Sequence, residues 1–188
     1  MCGIVGYIGK DNALSRVRSK IKLLEYRGYD SSGFCVIDST KNEFLIKKTI
    51  GTIDKIKNIP DIESSIGISH TRWATHGKIS ESNAHPQLSQ NNQISIVHNG
   101  IIENYQELKL FLKNKGYSFN SDTDTEVACN LIEFLLQDDD DFEKALIKTL
   151  DKIEGSSSIV GININKPTKI FIIKKGNSGG LVVSESGN

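Results

Sequence analysis

The sequence predicts a layered α+β domain, and three observations carry that prediction. Apolar runs of strand length fill the first half of the chain. Three helix-start signatures with helical apolar spacing follow, and strand-like runs return after residue 156. Strands, then helices, then strands pack as layers rather than as a regular strand–helix alternation.

The elements follow in order. Residues 3 to 8 read as a first strand, and "NALSRVRSKIKLLEYRG" sets Leu14, Val17, Ile21 and Leu24 on one helix face, with Gly28 as the stop. "GFCVID", "EFLIKKTI", "SIGISH" and "NQISIVH" read as strands, the last with Ile94 and Ile96 on a shared face. Asn104 with Glu107 fits a capping box ahead of Leu108, Phe111 and Leu112, and Gly116 ends that helix. Thr123 with Glu126 and Asp140 with Glu143 repeat the signature before Val127, Leu131, Phe134 and Leu135, and before Phe142, Leu146, Leu150 and Ile153. "SSIVGIN", "KIFIIKK" and "LVVS" supply the closing strands. The "DDDD" run at 138 to 141 reads as a solvated turn whose carboxylates favour the next helix N-terminus.

Bulk properties exclude several classes. At 188 residues the chain forms one domain, long enough to bury about two thirds of its unfolded surface. Acidic and basic side chains number 23 each, so nothing recruits nucleic acid or an anionic membrane. No run approaches the roughly 18 apolar residues of a spanning helix, and the N-terminus lacks a secretion signal, so a cytoplasmic location is expected. Cys2, Cys35 and Cys129 form no C-x-x-C pair, which argues against a disulfide framework and a zinc knuckle. Cys35 and Cys129 lie in apolar settings and read as small buried hydrophobes.

Cys2 is different. A cysteine at the first position of a mature chain carries its own base, because the freed α-amine titrates at about 7.7–8.0, near the operating pH. Removal of Met1 turns Cys2 into that residue.

Three further stretches bear on chemistry. "HTRWATHG" at 70 to 77 is too polar for a strand and gathers Arg72, Trp73 and His76 where a guanidinium fork matches a carboxylate. "HNG" at 98 to 100 closes a strand with the Asn99 amide and the Gly100 N–H, the donor pair of an oxyanion hole and also a plain turn dipeptide. "SDTDTEV" at 121 to 127 sets Asp122 and Asp124 at a helix start, where they serve as caps or face a ligand's ammonium group. The histidines at 70, 76, 85 and 98 have no metal-ligand spacing, which favours structural or site-supporting roles. "GNSGG" at 176 to 180 satisfies G-x-S-x-G, but the strand-like "LVVS" follows where a nucleophile elbow needs a helix, so a glycine-rich hairpin turn is the expectation.

Together "CGIVGYIG", "LEYRGYDSSG", "SHTRWATHG", "NAHP", "VHNGIIENY" and "SDTDTEV" resemble the class II, N-terminal-nucleophile glutamine amidotransferases, in order and spacing over residues 2 to about 130. "YRG" and "RWATHG" point to their sugar-phosphate branch, the glucosamine-6-phosphate synthases of amino-sugar biosynthesis, over the branches that make phosphoribosylamine or asparagine.

The resemblance implies a four-layer αββα fold of the N-terminal-nucleophile (Ntn) hydrolase type with antiparallel sheets. It implies a glutaminase domain over residues 1–188 that forms a γ-glutamyl thioester and releases glutamate and ammonia. By position it makes Cys2 the nucleophile and base carrier, and Asn99 with Gly100 the oxyanion hole. Arg72 then holds the α-carboxylate of L-glutamine and Asp124 its α-ammonium group. Thr75, His76 and Gly77 sit in a loop over the substrate, and Trp73 beside them gates ammonia. Arg27 and His85 support the site.

Such chemistry needs no metal or organic cofactor. Free glutamine is a zwitterion, and Arg72 with Asp124 offers one cation and one anion to match it. Relatives of this kind continue into a sugar-isomerase domain that binds fructose 6-phosphate and form homo-oligomers. Against that pattern the chain looks C-terminally truncated, the isomerase half is outside it, and "GNSGGLVV" departs from the usual Gly-Ser-Pro-Leu. A glutamine-binding module without turnover is the alternative the same residues allow.

Overall fold

A computed structural model describes residues 2–73, 78–139 and 141–185. Eight strands and four α-helices stand among them: β1 Gly3–Ile8, α1 Ala13–Lys22, β2 Ser31–Asp38, β3 Glu43–Ile50, β4 Ile66–Arg72, β5 Gln87–Leu88, β6 Ile94–Ile102, α2 Tyr105–Asn114, α3 Asp124–Asp139, α4 Phe142–Lys152, β7 Gly155–Asn163 and β8 Ile170–Lys175. The strands form two four-stranded antiparallel sheets, ordered β1-β4-β2-β3 and β5-β6-β7-β8.

Side-chain alternation assigns each sheet two faces. Phe34 and Val36 of β2 pack with Leu14, Val17 and Ile21 of α1, while Cys35 and Ile37 face the other way, into a cluster with Ile66, Ile68, Val97, Val160 and Ile162. Ile94, Ile96, Ile159, Phe171 and Ile173 turn outward onto the three remaining helices. The layers therefore run α1, first sheet, second sheet, α2–α4, the expected αββα sandwich. Both sheets are covered on both faces, which explains why β2 and β4 are buried at every position.

Several local expectations need correction. The first helix ends at Lys22, and Gly28 closes only a 3₁₀ turn over Glu25–Arg27. β4 continues through His70, Thr71 and Arg72 despite their polarity, because it pairs with β1 on one side and β2 on the other, so its backbone groups are satisfied in the ladder. "HNG" does not close its strand either, since β6 stays paired with β7 as far as Ile102. "LVVS" forms no strand: Val182 and Val183 are 90% and 77% exposed, and no described strand pairs with them. "GNSGG" is accordingly no hairpin turn, and Ser178 Oγ lies 2.7 Å from Ser158 Oγ.

The capping signatures are met in part. Thr123 Oγ1 accepts the Glu126 N–H at 3.3 Å, but the Glu126 carboxylate reaches back to the Asn120 and Ser121 N–H groups rather than to Thr123. Asn104 precedes α2 without capping it. Its side chain instead bridges Lys152 O and Glu154 N, tying α2 to the α4–β7 connection. Asp141 caps α4 through the Lys144 N–H, and Asp140 lies outside the described residues. α2 ends as expected, with Gly116 at φ +89° and the Tyr117 N–H bonded back to Leu112 O.

Candidate active site

The same alternation that builds the intersheet core carries polar groups to its open end. On β4 the inward positions are Ile66, Ile68, His70 and Arg72, and on β6 they are Ser95, Val97 and Asn99. Where the isoleucines stop, His70, Arg72 and Asn99 begin, with Cys2 just ahead of β1.

Cys2 is partly buried and is held through its backbone and its sulfur. Its carbonyl oxygen accepts from Arg27 Nε at 3.1 Å and from Asn99 Nδ2 at 3.4 Å. The Trp73 N–H points at Sγ over 3.3 Å. Arg27 and Trp73 reach this point because Gly28 lets the 3₁₀ turn touch the end of β4: a Cβ there would stand 2.8 Å from Trp73 N and 2.9 Å from Arg72 C. The Thr71 hydroxyl donates to the Gly28 carbonyl across the same junction.

Gly100 follows Asn99 at φ +132°, and a Cβ would stand 2.0 Å from Ser156 O of β7. Only glycine fits so close to the neighbouring strand in that conformation. Its exposed N–H and the Asn99 amide form the donor pair that the sequence suggests.

Arg72 is 7% exposed. Burial pulls its pKa below the ordinary value, while the acidic groups of Cys2, Asp124 and Asp30 oppose that pull. Asp124 starts α3. Burial pushes its pKa up, but His98, together with the N–H groups of Ile102 and Thr125, outweighs that and leaves it below the usual carboxylate value. The Ile102 N–H donates to Asp124 Oδ2 at 2.9 Å, so the end of β6 fixes this carboxylate. A buried cation thus lies within electrostatic reach of both the Cys2 thiol and the Asp124 carboxylate.

A buried polar layer underlies these groups. His70 Nε2 lies 3.0 Å from Asn99 Oδ1, and the His70 ring stacks on His85 with centroids 4.4 Å apart. His85 Nε2 meets Thr125 Oγ1 at 2.7 Å, and Thr125 also meets His98 Nδ1 at 3.1 Å. His98 Nε2 meets Ser157 Oγ at 3.1 Å. Burial holds His70 down at about 4 and His85 well below the ordinary histidine value. Gly33 makes room for this layer, since a Cβ there would stand 2.3 Å from His85 O. That contact links "DSSG" to "NAHP", and Asn83 links "NAHP" to "SDTDTEV" by accepting the Asp122 N–H at 2.9 Å.

Cys2, Arg27, Arg72, Trp73, His85, Asn99, Gly100 and Asp124 therefore share one end of the intersheet space or the layer beneath it. Trp73 is half exposed there. Thr75, His76 and Gly77 lie outside the described residues. Two hollows elsewhere, of about 460 and 300 Å³, are lined by other residues, Asp38 and Glu63 in one and Lys48 and Glu126 in the other. The other thiols are inert: burial pushes Cys35 up to about 12 and Cys129 well above the ordinary cysteine value.

Sequence reasoning missed His70, Thr125, His98 and Ser157 as one network. For His70 the signal was present, because extending "SIGISH" by two residues puts it on the face of Arg72. Ser157 gave none, being paired with Gly100 only through the β6–β7 register.

Comparison with known sequences decides the family. The sequence model of the family described as "glutamine amidotransferase domain" matches residues 70–176, more than half of the chain. The chain belongs to the glutamine amidotransferase family. Among the curated relatives of this amidotransferase domain is the glutamine–fructose-6-phosphate aminotransferase (isomerizing) of Clostridium acetobutylicum, 43% identical over 100% of this chain and 31% of that protein. The enzyme of the same name from Thermococcus kodakarensis is 45% identical over 93% of this chain and 29% of that protein. The domain thus spans about a third of the length of these relatives. Its fold matches the glutamine phosphoribosylpyrophosphate amidotransferase from B. subtilis (TM-score 0.71, 24% identity, 86% of this chain and 35% of that one). It also matches a structure described as the allosteric regulatory enzyme of purine biosynthesis (TM-score 0.73, 24% identity). These neighbours carry the Ntn-type sandwich.

Proposed function

We propose that this domain hydrolyses L-glutamine to glutamate and ammonia, with Cys2 as nucleophile. The observation that carries the reading is the convergence, in a glutamine amidotransferase domain, of one thiol with two amide donors, a buried guanidinium and a carboxylate.

Arg72 takes the substrate α-carboxylate through two parallel N–H···O bonds, and Asp124 takes the α-ammonium group. The side-chain amide carbon then faces Sγ, and its oxygen faces Asn99 Nδ2 and the Gly100 N–H. The α-amine of Cys2, free once Met1 is removed, accepts the thiol proton as sulfur bonds to the amide carbon. Negative charge on the amide oxygen is met by the two donors. The C–N bond breaks, the amine passes its proton to the leaving nitrogen, and ammonia departs from a γ-glutamyl thioester. Water then adds to the thioester with the same amine as base, releasing glutamate and the thiol. Arg27 holds the Cys2 carbonyl so that the amine and sulfur keep their aim, and His85 braces the layer below. We assign Trp73 the gating of ammonia, and Thr75, His76 and Gly77 contact with bound glutamine.

The relatives' names support an acceptor: ammonia passes to a further region of the whole protein, which fixes it to fructose 6-phosphate in amino-sugar synthesis. We place that protein in the cytoplasm as a homo-oligomer; three free cysteines support the compartment, as does the lack, among the described residues, of a helix long and apolar enough to cross a membrane.

Ammonia release from glutamine by the wild-type domain and by Cys2→Ala tests the reading. Turnover in the first and none in the second is expected. Equal release by both overturns the Cys2 mechanism, and binding of glutamine without release by the wild type would favour a binding module.

A further inference from the structure

We propose that His70 is a positioning residue: its Nε2–H holds Asn99 Oδ1 and thereby turns the Asn99 amide nitrogen toward Cys2. The inference rests on the reading of Asn99 as an oxyanion donor.

An asparagine amide presents a donor at one end and an acceptor at the other, and its two orientations differ by a half-turn. In one, Asn99 offers N–H groups to a developing oxyanion; in the other it offers a carbonyl oxygen, which repels one. Two contacts choose between them. The Cys2 carbonyl can only accept, and it lies 3.4 Å from Asn99 Nδ2. The opposite end, Oδ1, then faces His70 Nε2 at 3.0 Å, so that ring nitrogen must carry a proton.

His70 is 1% exposed, and burial keeps its ring neutral above about pH 4, leaving it a single N–H. The other acceptor near the ring is the His98 carbonyl. Nδ1, however, makes no bond of hydrogen-bond geometry to any described residue. The proton therefore belongs on Nε2.

The ring is also held in place. It lies flat against His85 at an interplanar angle of 24°, and His85 is anchored to Thr125. Its backbone sits in β4, paired with Ile4 on one side and Gly33 on the other. A rigid donor fixes the amide before substrate arrives, and such preorganisation gives an oxyanion hole its effect.

Three variants and one spectrum test this. His70→Gln puts an amide N–H where Nε2 stood, His70→Asn stops one methylene short, and His70→Phe keeps the stack without a donor. Kinetics of ammonia release should show kcat lowered about 10- to 100-fold in His70→Phe and His70→Asn, less than the 10²–10³ for outright loss of an oxyanion donor. The glutamine KM should change less than threefold, and His70→Gln should recover most of the turnover. In an Asn99→Ala background the His70→Phe loss should disappear, because the two residues act as one unit. Equal losses in all three variants, or a loss that persists without Asn99, would overturn the proposal. Independently of turnover, a long-range ¹H–¹⁵N spectrum of the wild type should show His70 as the Nε2–H tautomer. An Nδ1–H tautomer would mean that Asn99 presents the opposite end, and the proposal falls. A wild type that releases no ammonia removes the functional reading, and the spectrum alone then decides the orientation of Asn99.

Discussion

Gly100→Ala concentrates the physical claims about this site in one methyl group. The new Cβ would meet Ser156 O at 2.0 Å, Ser156 C at 2.9 Å and Ser157 Cα at 3.0 Å, all backbone atoms that no rotamer change can clear. Restoring ordinary contact requires β7 to retreat by more than 1 Å opposite Gly100, because unstrained Cβ contacts begin near 3.4 Å. That retreat weakens one or two ladder bonds, at about 0.5–1.5 kcal/mol each. Holding alanine at φ +132° costs about 1–3 kcal/mol more. The sum, about 1.5–6 kcal/mol, is a large share of the ~5–15 kcal/mol typical of a domain. At 2–4 °C per kcal/mol for this chain length, the melting temperature should fall by roughly 3–24 °C. Turnover measured below the new transition should drop about 10²- to 10³-fold, because the displaced Gly100 N–H no longer meets the oxyanion. Calorimetry paired with an ammonia assay reads both. A variant that melts within about 2 °C of wild type would refute the steric argument; one that melts low but turns over normally would remove Gly100 from the oxyanion hole.

Other outcomes follow from the same geometry. Arg72→Ala removes charge-assisted bonds of about 1.5–3 kcal/mol, so the glutamine KM should rise roughly 10- to 100-fold with kcat less affected; an unchanged KM would take Arg72 out of the substrate site. His70 is held at about 4 against 6.5 unfolded. Because its folded pKa is depressed, the unfolded chain binds the proton first, and stability falls as pH drops from about 6.5 to 4. The full loss is on the order of 3 kcal/mol for His70 alone, with His85 adding in the same direction. Urea midpoints should therefore be clearly lower at pH 5 than at pH 7, and equal midpoints would contradict the buried neutral rings. Asn104→Ala should cost about 1–3 kcal/mol through the two lost backbone bonds to Lys152 and Glu154, although Asn104 caps nothing; a neutral result would show that the bridge is not maintained in solution.

Much of the fold is legible in sequence because periodicity is local. β1 and β3 have the expected limits, and the buried residues of α1 are apolar at helical spacing. What periodicity misreads is polarity inside a ladder. Thr71, Arg72, Asn99 and Gly100 look like loop, yet a strand tolerates polar residues wherever its ladder continues, on both sides at Thr71 and on one side at Arg72, Asn99 and Gly100. "LVVS" errs in the opposite sense, since β-propensity alone makes no strand without a described neighbour to pair with. The capping residues show a related ambiguity: Asn104 satisfies the local rule on paper, but its amide finds better-placed groups fifty residues away.

At the candidate site, Cys2, Arg72, Asn99, Gly100 and Asp124 are visible as residue types whose chemistry suits one zwitterionic amide substrate. Of their supports, only Arg27 and His85 are named from the sequence, by resemblance. His85 comes from the connection ahead of β5, Thr125 from α3 and Ser157 from β7, and the contacts among them arise only through register and layer order. Gly28 and Gly33 look like turn residues, but their structural reason is close approach, to β4 in one case and to the His85 carbonyl in the other.

The central claim is that Cys2, once Met1 is removed, is a nucleophile aimed at a glutamine side chain. The measurement that bears on it most directly is the intact mass of the purified chain before and after exposure to a glutamine-like diazoketone, with peptide mapping. The account predicts a chain lacking one methionine that gains a single adduct, on Cys2, and loses ammonia release in parallel, while Cys35 and Cys129 stay unmodified in their buried sites. A processed, folded chain that takes no adduct, or takes it at another cysteine, would contradict it.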